Sequence, residues 1–303
     1  MKIFLTGAGG FIGRAAVRVL ARSGYEVIAH VAPTEAEMPA PTEATACVYF
    51  EIENAAEFAN RMAGCEVVVH LAGPAAVAPS FDAPGMYIRS HALGTCAVIS
   101  AMRVAEVPRL VYISSAEVYG RCDEARVRED MLPSPRSPYA AAKVGAEAIV
   151  AAAARGGLLR AVVLRPFSVY GPGQRHVSLL ARIIDQARSG ADIRVRDLAP
   201  TRDYCFVDDV ANAIQCACDY AAGEIAIFNV GTGTGTSVGQ LAAITAEAMG
   251  SSASIIELGG NRGSSEILRL IADPSHARLD LGWQASVDVR TGIARTLEAG
   301  VST

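Results

Sequence analysis

Met1-Lys2-Ile3-Phe4-Leu5-Thr6-Gly7-Ala8-Gly9-Gly10-Phe11-Ile12-Gly13-Arg14 is the stretch from which the rest of the chain can be read. Apolar residues run up to Leu5, glycines follow at 7, 10 and 13, and Ala15 to Leu20 continues as a helix. Strand, glycine turn and helix in that order make a seat for a pyrophosphate. Gly7 allows the tight turn, Gly10 lets the backbone approach the phosphates, and Gly13 lets the helix pack close to the strand. The first helical N–H groups, with Phe11 and Ile12 among them, face the anion. A glycine triplet alone is also an ordinary turn. Its position between a strand and a helix points to a dinucleotide.

Working outward, Glu26 to Val31 reads as a second strand. An acidic residue ending this strand suits the ribose of NAD, and an arginine suits the extra phosphate of NADP. Here the strand ends in His30, Val31 and Ala32, so NAD and NADP both stay open. Cys47 to Phe50 is a third strand; Glu51 beyond it reaches the adenine or is a solvated strand end. Cys65 to Gly73 is a buried strand closing on a small-residue turn, with His70 expected as a satisfied core side chain. A helix is expected over 84–105, a strand over 110–115, a helix over 137–154 and a strand over 159–165. This alternation predicts an α/β fold, a doubly wound parallel sheet of Rossmann-like type. Residues 1–167 are expected to form the dinucleotide-binding domain, with a return segment near 205–230. Residues 168–303 are expected to form mainly a smaller α/β substrate-binding lobe.

The 303 residues are 51% hydrophobic and 19% charged, enough for a large core. A net charge of -4 without a basic stripe argues against nucleic acid as a partner. The seven cysteines have no metal-ligand spacing and no disulfide framework, so no metal is expected and the chain reads as cytoplasmic. The start is a strand rather than a signal peptide, and no apolar run of about 18 residues suits a membrane span.

Tyr139-Ala140-Ala141-Ala142-Lys143 places a phenol and an ammonium on one helix face. A tyrosine works as an acid/base near neutral pH when a cation favours its phenolate. Ser115, at the end of a sheet strand, stands where α/β folds bind ligands and can polarise a substrate oxygen. The alternative for the Tyr–Lys pair is a solvent-facing pair without chemistry.

These motifs, in order along nearly the whole chain, resemble the extended short-chain dehydrogenase/reductase superfamily, in its nucleotide-sugar epimerase/dehydratase branch. The resemblance rests on Thr6–Gly13, His70–Gly73, Ser114–Gly120, Ser137–Lys143, Leu164–Gly173, Arg202–Val210, Asn229–Gly233 and Ala272 to Trp283. It implies that Tyr139 is the acid/base, Lys143 its activator and ribose ligand, and Ser115 the partner of the substrate hydroxyl. It also implies that Arg202 and Arg262 hold a nucleotide diphosphate, a task that suits guanidinium groups. Ser168 stands where the family often has an asparagine touching substrate. Expected cofactor contacts further include Ile52, Leu71, Ala72, Gly73 and Pro166. Relatives pair through a four-helix bundle, and the alanine-rich helices 84–105 and 137–154 fit such a homodimer.

The departures narrow the reaction. Ala116 replaces the aspartic acid of the family's 4,6-dehydratases while Glu117 remains, which weighs against ordinary dehydration. Glu117 is a base, a substrate contact or a structural residue. His91 replaces a frequent asparagine, and Ala75 a lysine of some 4-epimerases. What the resemblance implies is hydride transfer at a sugar carbon, commonly C4, of a nucleotide-diphosphate sugar. A 4-epimerase is the leading reading, with a reductase of 4-keto-6-deoxysugars second. A dinucleotide-binding protein without turnover is the reading from another class.

Overall fold

Lys2–Thr6 (β1) runs inside a seven-stranded sheet in which every neighbouring pair is parallel. To one side lie Glu26–Val31 (β2) and Ala46–Tyr49 (β3). To the other lie Val67–His70 (β4), Arg109–Ile113 (β5), Arg160–Pro166 (β6) and, at the far edge, Ile225–Val230. The chain winds from β1 to β3 and then restarts at β4, so strand order reverses between β1 and β4. Ligands of doubly wound sheets bind in the crevice at that point, beyond the carboxyl ends of the strands. The computed structural model describes residues 1–33, 40–52, 54–122, 124–174, 178–221, 223–260 and 267–299. Arg262 therefore lies outside the described residues.

Helices cover both faces, which is why strands such as Val67–His70 are buried along their whole length. Phe11–Arg22 (α1) buries Ala15, Ala16, Val17 and Leu20 on the side of the sheet shared with the helix Val207–Asp219. Ala55–Met62 (α2), Gly94–Val104 (α5) and Pro138–Arg155 (α6) cover the other face around Phe58, Met62, Val98, Ala146 and Val150. Two short helices, Pro79–Asp82 (α3) and Pro84–Ile88 (α4), precede α5. The helix expected over 84–105 runs without interruption from Pro84 to Val104, and it widens into a π-helical turn at Arg89–Leu93 where α4 passes into α5.

The glycine turn is set by space as much as by dihedral freedom. Gly7 has φ +72°, and a Cβ on Gly13 would fall 2.0 Å from the Gly7 carbonyl oxygen. A side chain at position 13 would push α1 away from β1.

After β6 the chain builds short strands and then returns to the large sheet. Ile225–Val230 pairs with β6, Ile225 opposite Ala161. Ser168–Tyr170 pairs with Tyr204–Phe206, and Thr201–Arg202 lies between Thr236–Ser237 and Arg269–Leu270. The helices Leu179–Arg188 and Val238–Ala248 close a separate core with Leu180, Ile183, Ile184, Phe206, Leu241 and Ile293. Among the described residues no helix is long and apolar enough to cross a membrane.

Candidate active site

Two local devices bring the catalytic candidates together at the carboxyl edge of the sheet. Ser137 caps α6 by accepting from the Ala140 amide at 3.1 Å, with Pro138 in the first turn, which fixes Tyr139 and Lys143 near the helix start. Just beyond β5, Ser115 Oγ accepts from the Glu117 amide at 3.2 Å and opens the short 3-10 turn Ala116–Tyr119. The Ser115 hydroxyl is the neighbouring group that favours the Tyr139 phenolate.

Tyr139 is 6% exposed. Burial pushes its phenol up to about 12, the Ser115 hydroxyl pulls it down, and Glu117 and Tyr87 add to the rise. Lys143 is also buried, and burial brings its ammonium down to about 7. Its Nζ donates to the Ile113 carbonyl at 2.7 Å and lies 5.1 Å from the centre of the Tyr112 ring. The ammonium is thus anchored to the end of β5, with two of its three N–H donors beyond that bond.

Glu117 is raised by burial and lowered by the charge of Arg202. Because Glu117 also acts on Tyr139, the structure brings Ser115, Glu117, Tyr139 and Arg202 into one electrostatic neighbourhood. Arg202 and Ser168 line a cleft of about 650 Å³ with Gln174, Arg182, Arg196 and Tyr204. Arg182 and Arg196 escaped sequence reading, since nothing in an ordinary amphipathic helix or in the bend after a three-residue strand singles them out. Asp203, next to Arg202, is structural: its carboxylate accepts from the Thr232, Gly233 and Ala272 amides and from the Thr232 hydroxyl.

The expected cofactor contacts gather on the same edge. Gly10 caps α1 with no side-chain bond, so the first-turn amides around Phe11, Ile12 and Gly13 are left open to an anion. Together with the glycine spacing this fits a dinucleotide pyrophosphate. Leu71, Ala72 and Gly73 follow β4, and Pro166 ends β6. Beyond β3, Glu51 is exposed and Ile52 half-buried. His30 turns inward: its Nε2 bonds the Phe50 carbonyl at 2.8 Å, and its ring lies among Phe4, Phe50 and Phe58.

His70 is the satisfied core side chain expected of it. Its Nδ1 is 2.7 Å from Thr6 Oγ1 and its Nε2 is 3.2 Å from Thr95 Oγ1. Burial lowers His30 to about 4, His70 to about 3 and His91 to about 2. An unfolded chain takes up these protons below pH about 6.5 while the folded protein refuses them, so stability falls with pH through that window. Urea unfolding at pH 7, 6 and 5 is expected to show a steady loss reflecting up to three protons. Unchanged stability over that interval would contradict neutral, buried rings.

A second polar cluster supports α6 from below. Glu147, one turn beyond Lys143, accepts from Arg165 Nε at 2.9 Å and from its Nη2 at 2.6 Å. Arg165 also donates to the Tyr119 hydroxyl at 2.8 Å, which donates to Asn229 Oδ1 at 2.7 Å. Sequence reading missed this network, although a charge inside an apolar strand and another in an alanine-rich helix were its signal.

The family model described as "NAD dependent epimerase/dehydratase family" matches residues 3–231. This chain belongs to that family. Among curated proteins, a UDP-glucose 4-epimerase of Mycolicibacterium smegmatis is 33% identical over 98% of this chain and 98% of its own length. Among solved structures, MoeE5 in complex with UDP-glucuronic acid and NAD is 31% identical, with a TM-score of 0.89 over 99% of this chain and 98% of that one. UDP-glucose 4-epimerase from Thermotoga maritima with UDP-glucose is 28% identical, with a TM-score of 0.89 over the same shares. The epimerase/dehydratase fold thus extends over the whole described chain. The protein is an enzyme of the extended short-chain dehydrogenase/reductase type that uses NAD or NADP.

Proposed function

We propose that the chain is a nucleotide-sugar 4-epimerase acting on a UDP-hexose. The observation that carries the reading is the buried Tyr139 phenol, on which the Ser115 hydroxyl and Glu117 both act, while Arg202 of the arginine-lined cleft acts on Glu117. The similarity to UDP-glucose 4-epimerases supports the choice of reaction and of nucleotide. In this reading residues 1–167, with the returning strand, hold the cofactor, and residues 168–303 hold the nucleotide. Arg202 and Arg262, with Arg182 and Arg196 nearby or behind, neutralise the diphosphate, and Ser168 touches the sugar.

NAD, held at the glycine turn, would supply a hydride acceptor that can return the hydride to either face of a keto sugar, and a positive ring that favours a tyrosine phenolate. Tyr139 would take the proton of the sugar C4 hydroxyl, while Ser115 would hydrogen-bond the same oxygen. Lys143 directs its free N–H donors to the ribose and adds positive charge near Tyr139. Once the keto sugar has turned over, Tyr139 would give the proton back to the same oxygen. Glu117, under the charge of Arg202 and itself acting on Tyr139, serves as a substrate contact. Ala116 offers no acid to expel a hydroxyl, which separates the reading from a dehydratase.

The test is incubation of purified protein with UDP-, dTDP-, GDP- and CDP-sugars without added reductant. Interconversion of C4 epimers supports the proposal. Turnover of keto sugars alone, with consumption of NAD(P)H, replaces it with the reductase reading.

A homodimer in the cytoplasm completes the proposal. α6 exposes the small residues Ala141, Ala148 and Ala152, and the adjoining helices expose Met86, Ile88 and Leu93 at 48%, 52% and 55%. Small residues let helices approach closely, as a four-helix bundle requires. All seven cysteines are unpaired, which fits a reducing compartment. Light scattering at micromolar concentration is expected to give twice the chain mass; a monomer would contradict the pairing.

A further inference from the structure

The wide turn between α4 and α5 drives one polar ring into the interior. π-Helical turns are rare and concentrate at functional sites. His91, in the middle of Arg89–Leu93, is 1% exposed. Its Nε2 lies 2.9 Å from the Pro74 carbonyl oxygen. A carbonyl only accepts, so the proton sits on Nε2 and Nδ1 carries a bare lone pair. That Nδ1 is buried and has no hydrogen-bond partner. Burial and the charge of Lys143 keep the ring neutral.

The ring touches both halves of the site. A Cβ on Gly73 would fall 2.4 Å from His91 Cε1 and 2.6 Å from Nδ1, so the imidazole packs directly on the Gly73 backbone. The Tyr139 ring lies 5.6 Å away, centre to centre, edge to face at 68°. The His91 backbone is fixed as well. Its carbonyl accepts from Thr95 Oγ1 at 2.5 Å, and Thr95 is tied through His70 to Thr6, which holds the Leu71 and Ala72 amides.

We propose that His91 is a positioning residue, a neutral clamp that ties the Gly73–Pro74 turn to the edge of Tyr139. The turn expected to seat the cofactor and the acid/base expected to exchange the proton are then held as one unit. The proposal rests on the reading of Tyr139 as acid/base given above. Gly73 is glycine because any side chain there would displace the clamp, and the wide turn persists because it delivers the ring to that place.

Two substitutions separate positioning from packing. His91→Phe keeps an aromatic edge, in a somewhat larger ring, but loses the donor to Pro74. His91→Gln restores a donor at the distance of Nε2. Three quantities are measured for each: NADH affinity by fluorescence titration, kcat and KM for the nucleotide sugar, and Tm. For His91→Phe the expected result is a kcat lower by about 10- to 100-fold, with KM changed less than about threefold and NADH binding weakened about tenfold. His91→Gln is expected to recover most of both losses.

The proposal is overturned if His91→Phe stays within about twofold of wild type in kcat and NADH affinity. It is also overturned if both variants lose Tm and activity together, with no recovery by glutamine. If the wild-type protein binds NADH but turns over no nucleotide sugar, the epimerase reading fails. The NADH titration of the two variants then decides the His91 proposal alone.

Discussion

Tyr139→Phe is expected to lower kcat about a thousandfold, the range lost when a positioned acid/base is removed. The substitution deletes one oxygen and leaves the ring, which is held edge-on by Tyr87 at 6.1 Å and by His91 at 5.6 Å. The fold and the arginine-lined cleft should therefore survive. Calorimetry is expected to give nucleotide-sugar affinity within about threefold of wild type, because uniform binding is left intact. Kinetics and calorimetry on the same preparation check both halves. A kcat reduced less than about tenfold would remove Tyr139 from the proton path.

Arg165→Met is expected to cost about 3–5 kcal/mol of stability, because it strands a buried carboxylate rather than removing a pair. Arg165 and Glu147 are 3% and 8% exposed, and both Glu147 oxygens are bonded to the one guanidinium. The same substitution leaves the Tyr119 hydroxyl without its charged donor. Removing both charges together, as Arg165→Met with Glu147→Met, is expected to recover much of the loss, since well-packed apolar residues replace buried pairs at little cost. Urea unfolding of the single and double variants measures this coupling. A single variant within about 1 kcal/mol of wild type would show that the pair does not support α6.

Sequence legibility followed the range over which each constraint acts. The glycine turn and the α6 motif were readable because backbone space and i,i+4 spacing are local properties. A return of the chain to the large sheet near 205–230 was expected, and Ile225–Val230 makes it by pairing with β6. α2 escaped because only Phe58 and Met62 of its eight residues are buried, too few to show a helical period. The widening of the helix at His91 escaped because a π turn has no sequence period of its own. His30 shows why the cofactor's ribose could not be read: the residue at the expected place faces an aromatic core. The cleft that unites Arg202 with Arg182 and Arg196 is assembled from distant segments, and no spacing announces it.

The central claim is that hydride leaves and returns at the same sugar carbon while Tyr139 carries the proton. UDP-glucose carrying deuterium at C4 tests it most directly, with product analysed by mass spectrometry and NMR. The account predicts a C4-epimeric product that retains the deuterium at C4, with no net change in cofactor oxidation state. Deuterium lost from C4, or found in a released reduced cofactor, would contradict it.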